Sequence, residues 1–290
     1  MATITASLVK QLRDKTGAGM GDCKKALVET DGDVDKAVDV LRAKGIKDSQ
    51  AARSAAEGQV AFKASADGKG VAIVELRCET DFAARSENFT KLMGIVVDAV
   101  EKERPADAEA AQKIDAVAKE MQDAGAVTIR ENIVLSHAEF KTLDGDGKIG
   151  TYVHHNGSVG VAVAVNAPAA VTGKEAFDAL LRDLAMHITA HDPAPVAVSR
   201  DGIPEDLVKR EKAVYQAQID ENEKDKAKPQ NIKDKMIEGR LRKFYEDRAL
   251  LEQKFVRDGE KTITQLLQAT GKELGGELSI AWFVRKAVGE

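Results

Sequence analysis

Cysteine is scarce. The 290-residue chain holds only Cys23 and Cys78, in unrelated surroundings. That excludes a disulfide framework and a paired-cysteine metal site, and fits a reducing compartment. A basic excess is also missing, with 43 Lys and Arg against 48 Asp and Glu, so a general binder of nucleic-acid backbone is not expected. No acidic tail is present. The opening MATITASLVKQLRDK carries no apolar stretch of signal-peptide length, and no apolar run reaches membrane-spanning length. These absences predict a soluble, cytoplasmic protein.

What is present is enough apolar residue, 43%, for a sizeable core and roughly two domains. The first segment predicts three short helices. Leu8, Val9 and Leu12 share a face after a Thr5 cap. TGAGMG breaks the pattern, and Asp22 is placed to cap a second helix bearing Ala26 and Leu27. ETDGD breaks it again before Val34, Ala37, Val38 and Leu41, with the third helix ending before Gly45. KDSQAARSAAEG reads as a partly helical linker.

Two strand-like runs then flank ADGKG, a hairpin turn. A helix is expected from Glu87 to Glu103 with Phe89, Leu92, Met93, Val96 and Val100 as its apolar positions. VTIRENIVLSHAEF, IGTYVHH and SVGVAVAVN read as strands, and GKEAFDALLRDLAMHITAH as a helix. The two halves share an order of hairpin strand, loop and helix, which predicts a degenerate duplication. From Pro204 to Pro229 the chain is densely charged, with Leu207 and Val214 one heptad apart. A further helix begins near Ile232. Together they predict a projecting helical hairpin. The strand-like Leu278–Val284 needs a sheet partner, so the hairpin reads as an insertion. The expected class is α+β: a three-helix bundle over residues 1–53, a two-subdomain core over 54–186 completed by 235–290, and the inserted hairpin over 187–234.

Several motifs fail on inspection. GDGKIG at 145–150 matches a dinucleotide fingerprint on paper, but a strand follows where a helix is required. Read as a calcium loop, it has Thr142 and Val153 where acids belong. A hairpin turn is the better reading. His187 and His191 stand at i and i+4, but Ile188 replaces the Glu of a zincin, which predicts a structural helix with one buried and one terminal histidine. His154 and His155 fall near a strand end with no nucleophile close in sequence. ATGKE lacks the upstream glycine of a phosphate loop. No catalytic constellation, metal site or cofactor motif survives.

ETDFAAR remains. Phe82 follows directly on a strand, and two placements are open. It is either a core residue with Asp81 capping the next helix, or an exposed aromatic beside a carboxylate, directed at a partner.

ITASLVKQLRDKTGAGMGDCKKAL, ETDFAAR, GTYVHHNGSVGVAVAV, LAMHITAHDP and MIEGRLRKFYEDRALLEQKFVRD together resemble bacterial translation elongation factor Ts, in the family's order and over nearly the whole chain. The resemblance implies a non-enzymatic guanine-nucleotide exchange factor for elongation factor Tu. It implies an N-terminal module like the ubiquitin-associated fold that docks on the partner, and a hairpin for self-association. It implies that Thr80, Asp81, Phe82 and Ala83 enter beside the partner's magnesium site. Arg13, Met20, Gly21 and His154 are expected to support docking, with His155 adjoining the last. Three departures stand out. Ala83 occupies a position where Val is common, Gly21 one where Met is common, and the chain ends at VRKAVGE where many relatives continue into a short helical module. Two rival expectations are a small-molecule enzyme using Asp81, Glu79 and a histidine as acid and base, and a plain scaffold.

Overall fold

The computed structural model describes residues 4–16, 18–43 and 54–290. Three helices open the chain: α1 (Ala6–Thr16), α2 (Met20–Glu29) and α3 (Val34–Ala43). Leu12, Cys23, Ala26, Leu27, Ala37 and Leu41 make their small core. Thr5 Oγ1 accepts from the Leu8 N–H at 3.2 Å, as expected of its cap. Asp22 is not a cap. Helix α2 already begins at Met20 behind Gly19, with no side-chain cap, so Asp22 contributes a negative charge to the first turn, where the helix dipole favours it. The expected end of α3 before Gly45 and most of the expected linker lie outside the described residues.

The rest of the chain runs β1 (Glu57–Ala64), β2 (Gly70–Cys78), α4 (Asp81–Ala84), α5 (Glu87–Glu103), α6 (Ala108–Gln112), α7 (Asp115–Asp123), β3 (Val134–Thr142), β4 (Gly147–Val153), β5 (Val159–Asn166), α8 (Ala169–Thr172) and α9 (Glu175–Ala190). It continues through α10 (Glu205–Glu221), α11 (Glu223–Lys226), α12 (Gln230–Arg248), the short pair β6 (Lys254–Phe255) and β7 (Asp258–Thr262), α13 (Ile263–Leu274) and β8 (Ser279–Ala287). The class is mixed α+β.

Two antiparallel sheets, ordered β1-β2-β3 and β4-β5-β8, form the centre. The alternation along β2 explains their stacking. Ala72, Val74, Leu76 and Cys78 meet Phe89, Leu92, Val96 and Val100 of α5. Val71 and Ile73, on the opposite face, meet Ala162 and Ala164 of β5. Strand β5 alternates likewise, sending Val161, Val163 and Val165 to Phe177, Leu181 and Leu184 of α9. The result is helix, sheet, sheet, helix, with no polar face between the sheets at this level. Each half repeats one topology, a hairpin, a helix and a returning strand on the hairpin's second member. In the second half that returning strand is β8, which pairs with β5 from Val159↔Ala287 to Asn166↔Ser279.

Several expectations change here. GDGKIG does not close a hairpin. It carries the chain from β3 in one sheet to β4 in the other, with Ile149 N–H donating to the Gly68 carbonyl across the two sheets. VTIREN is not strand. A π-type turn covers Ala124–Thr128 and β3 begins only at Val134. Helix α9 runs to Ala190, past the expected core boundary at 186. The helical hairpin spans Glu205–Glu221 and Gln230–Arg248, so its second arm continues well beyond the expected limit at 234. Its seam is not the Leu207–Val214 heptad, because Val214 faces solvent while Ile219 and Ile237 are buried. Arg240 Nη1 donates to Gln218 Oε1 at 2.8 Å between the arms. Phe244, Ala249, Ala197 and Ile203 pack the base.

Candidate partner-binding site

Strand β2 ends at Cys78, whose Sγ donates to the Thr80 carbonyl at 3.3 Å. Burial pushes this thiol up to about 11, and the Glu131 charge adds to the shift. Thr80 is extended (φ −126°, ψ 151°), and its Oγ1 accepts from the Ala83 N–H at 3.2 Å, capping α4. Ser86 repeats the device for α5, accepting from Phe89 N–H at 3.2 Å. Asp81 is therefore not the cap. It is the first residue of α4, and its carboxylate lies 3.4 Å from Arg85.

Helix α4 is a single turn, and successive residues point about 100° apart around it. Ala83 and Ala84 turn inward and are buried against the α5 core. That geometry leaves Phe82 on the outer side, 84% exposed. The core placement for Phe82 is thus overturned. It is the most exposed large apolar side chain among the described residues, on a loop fixed by caps at both ends.

A second loop fastens the first. Glu131 Oε2 accepts from the Glu79 and Thr80 N–H groups, each at 3.0 Å, and Oε1 accepts from Thr80 Oγ1 at 2.6 Å. Glu79 Oε1 accepts in return from Asn132 N–H at 2.7 Å. The sequence reading missed Glu131. The only local sign of it was a charged residue inside a run read as strand.

His154 lies in the β4–β5 turn. Its Nδ1 is 3.0 Å from Asn156 Oδ1, which also accepts from Ser158 N–H and Oγ. His154 is half-buried and His155 exposed, with ring centroids 4.2 Å apart. The start of β1 joins this turn to the Phe82 loop. Glu57 pairs with Cys78, while Val60 N–H donates to the Gly157 carbonyl at 2.8 Å. Arg13, Met20 and Gly21 are all exposed on the N-terminal bundle.

His187 is fully buried and its ring centroid stands 5.0 Å from that of His191. Val256 N–H donates to His187 Nδ1 at 3.3 Å, so Nε2 carries the proton toward Gln253 Oε1 at 3.0 Å. This is the expected structural pair. Among the described residues no cluster of His, Cys, Asp and Glu could hold a metal ion, and no helix is long and apolar enough to cross a membrane. A concavity of about 540 Å³ lies along α13 between Leu251, Leu267 and Ile280. Neither Glu79, Asp81 nor either turn histidine lines it.

An α+β scaffold that projects one aromatic from a doubly capped loop offers a surface of the kind that suits a macromolecular partner. A family model described as elongation factor TS matches residues 79–290. The chain is 41% identical over 290 residues to elongation factor Ts of Nitratidesulfovibrio vulgaris, covering 99% of this chain and 96% of that protein. It is 38% identical over 292 residues to elongation factor Ts of a Nitratiruptor species, covering 99% and 93%. It is 40% identical over 302 residues to that of Rhizobium etli, covering 100% and 94%. The chain belongs to the elongation factor Ts family, and its role lies in translation elongation.

Proposed function

We propose that this protein is a guanine-nucleotide exchange factor for elongation factor Tu. The observation that carries the reading is Phe82, projected into solvent by a loop with a side-chain cap at each end. A large apolar side chain exposed in this way gains free energy only when it enters a partner. A G protein holds GDP partly through magnesium bridging the phosphates. Phe82, framed by Thr80, Asp81 and Ala83, enters beside the residues that support this metal and dislodges it. Phosphate charge is then uncompensated and GDP leaves. By linkage, bound GDP weakens the factor's grip by the same factor. GTP then rebinds. No covalent step is involved, so no general base is required.

Arg13, Met20 and Gly21 of the bundle supply docking affinity, as does the turn at His154. The α10–α12 hairpin serves self-association through outward residues such as Val214 and Ile232, both exposed. The acid–base reading fares poorly on geometry, because Glu79 is committed to a backbone N–H and Asp81 stands beside Arg85.

The test is release of fluorescent GDP from elongation factor Tu, with and without this protein. Accelerated release supports exchange. Binding without acceleration would leave a scaffold, and turnover of a small substrate would favour the enzyme.

A further inference from the structure

We infer that Glu131 is a positioning residue for Phe82, and that its carboxylate is what presents the aromatic to the partner. The inference rests on the exchange reading above. Three donors converge on this one side chain: two consecutive backbone N–H groups, from Glu79 and Thr80, and the Thr80 hydroxyl. Charge-assisted bonds of this kind are about twice as strong as neutral ones.

The hydroxyl bond matters most. Thr80 Oγ1 donates a hydrogen bond to Glu131 Oε1, so the hydroxyl's lone pairs are free to accept from the Ala83 N–H in the single turn of α4. Glu131 thereby sets the direction of the cap, the cap sets the single turn of α4, and that turn aims Phe82 outward. Cys78, Ala83 and Ala84 hold the inner side of the same loop in the core.

The segment that carries Glu131 is built for the purpose. After α7 the chain forms the π-type turn, with both Ile129 N–H and Arg130 N–H donating to the Ala124 carbonyl at 2.9 and 3.1 Å. Arg130 adopts φ 64°, a left-handed conformation that is strained for a non-glycine residue. Ile129 and Ile133, on either side, pack partly into the α5 core. A strained backbone pinned between two apolar anchors lifts Glu131 to the Phe82 loop, far from it in sequence.

The experiment uses the full-length protein with elongation factor Tu loaded with fluorescent GDP. Glu131→Ala is expected to slow GDP release about tenfold, the scale of one lost charge-assisted hydrogen bond. Glu131→Gln, which keeps the shape but turns an N–H₂ toward the donors, should show a smaller loss in the same direction and serves if the alanine variant does not fold. In a Phe82→Ala background, Glu131→Ala should change release by less than about twofold, because a residue that acts through Phe82 has nothing left to position. Without any partner, hydrogen exchange at the Glu79 and Thr80 amides should rise by about tenfold or more in Glu131→Ala. Wild-type release by both Glu131 variants, full additivity with Phe82→Ala, or unchanged exchange at those two amides would each overturn the inference. Wild-type release by Phe82→Ala would remove Phe82 from the exchange step and the inference with it, whereas no acceleration of release by the unmutated protein would overturn the exchange reading itself, which keeps the two failures apart.

Discussion

Glu75 of β2 meets Lys286 of β8 at 3.4 Å in the space between the two sheets. Glu75 is 2% exposed. Its other oxygen accepts from the Gly289 N–H at 2.7 Å. The inter-sheet layer is therefore apolar at the Val71–Ile73 level and ionic two residues further along β2. The last strand is tied to the first sheet at the end that bears Phe82.

Lys286→Met should destabilise the protein by about 2–3 kcal/mol, because it strands a carboxylate that the fold keeps from water. The figure sits below the range for fully buried pairs because Lys286 retains some solvent contact. The double variant Glu75→Gln with Lys286→Met should recover part of the loss. Urea denaturation checks both, and equal losses in single and double variants would refute the pairing.

Phe82→Ala should leave stability within about 0.5 kcal/mol of wild type, as for surface positions generally, against about 3–5 kcal/mol had it been core. GDP release from elongation factor Tu should slow markedly in millimolar magnesium. Chelating the magnesium should bring mutant and wild type together. A large drop in melting temperature would contradict the exposed position.

Gly160→Ala should cost about 1–3 kcal/mol through overpacking. A Cβ there would stand 2.4 Å from two ring carbons of Phe62 on the facing sheet. Combining it with Phe62→Leu should recover part of the loss in thermal melts. If the single variant melts like wild type, the sheets are not packed this closely.

His187 should make stability pH-dependent. Burial lowers its pKa to about 4, helped by the His191 ring. In the unfolded chain it titrates near 6.5, so between about pH 4 and 6.5 the unfolded state binds more protons. The contribution is complete above about pH 6.5 and falls away as the pH drops toward about 4, by up to about 3 kcal/mol. Protonated Nδ1 would face the Val256 N–H that now donates to it. His187→Gln should flatten this part of the stability–pH curve, and an unchanged slope would count against it.

Gly21→Met should be tolerated by the fold, because nothing lies within 4 Å of a Cβ built there. Replacing a helical glycine should stabilise α2 by a few tenths of a kcal/mol. If the exposed start of α2 docks on elongation factor Tu, the variant should bind more tightly in calorimetry. Unaltered affinity would remove Gly21 from the docking face.

Elements governed by local periodicity were readable residue by residue. Helix α5 runs from Glu87 to Glu103, as its spacing of Phe89, Leu92, Val96 and Val100 implies, and Thr5 caps α1 where a Thr precedes an apolar stripe. The errors share a cause. Asp22 and Asp81 are good capping residue types, but the cap positions fall earlier in the chain, at Gly19 and Thr80, than a rule based on residue type places them. VTIREN has the β-branched content of a strand, yet the packing of Ile129 into the α5 core and the hydrogen bonds that Glu131 accepts from the Phe82 loop go with a turn here. GDGKIG has hairpin chemistry, and no local signal says that the strands it joins belong to different sheets.

The sequence by itself determined the α+β class, the helix faces, the family and the loop in question, because each rests on residue order over a short window or on a distinctive string. Tertiary structure decided three things: that Phe82 points outward, that Glu131 is the group that holds its loop, and that a buried Glu75 ties the last strand to the first sheet. Each of these depends on two segments tens to hundreds of residues apart arriving at one point. Side-chain periodicity reports only which face of an element is apolar. It carries no information about which distant donor or charge that face will meet.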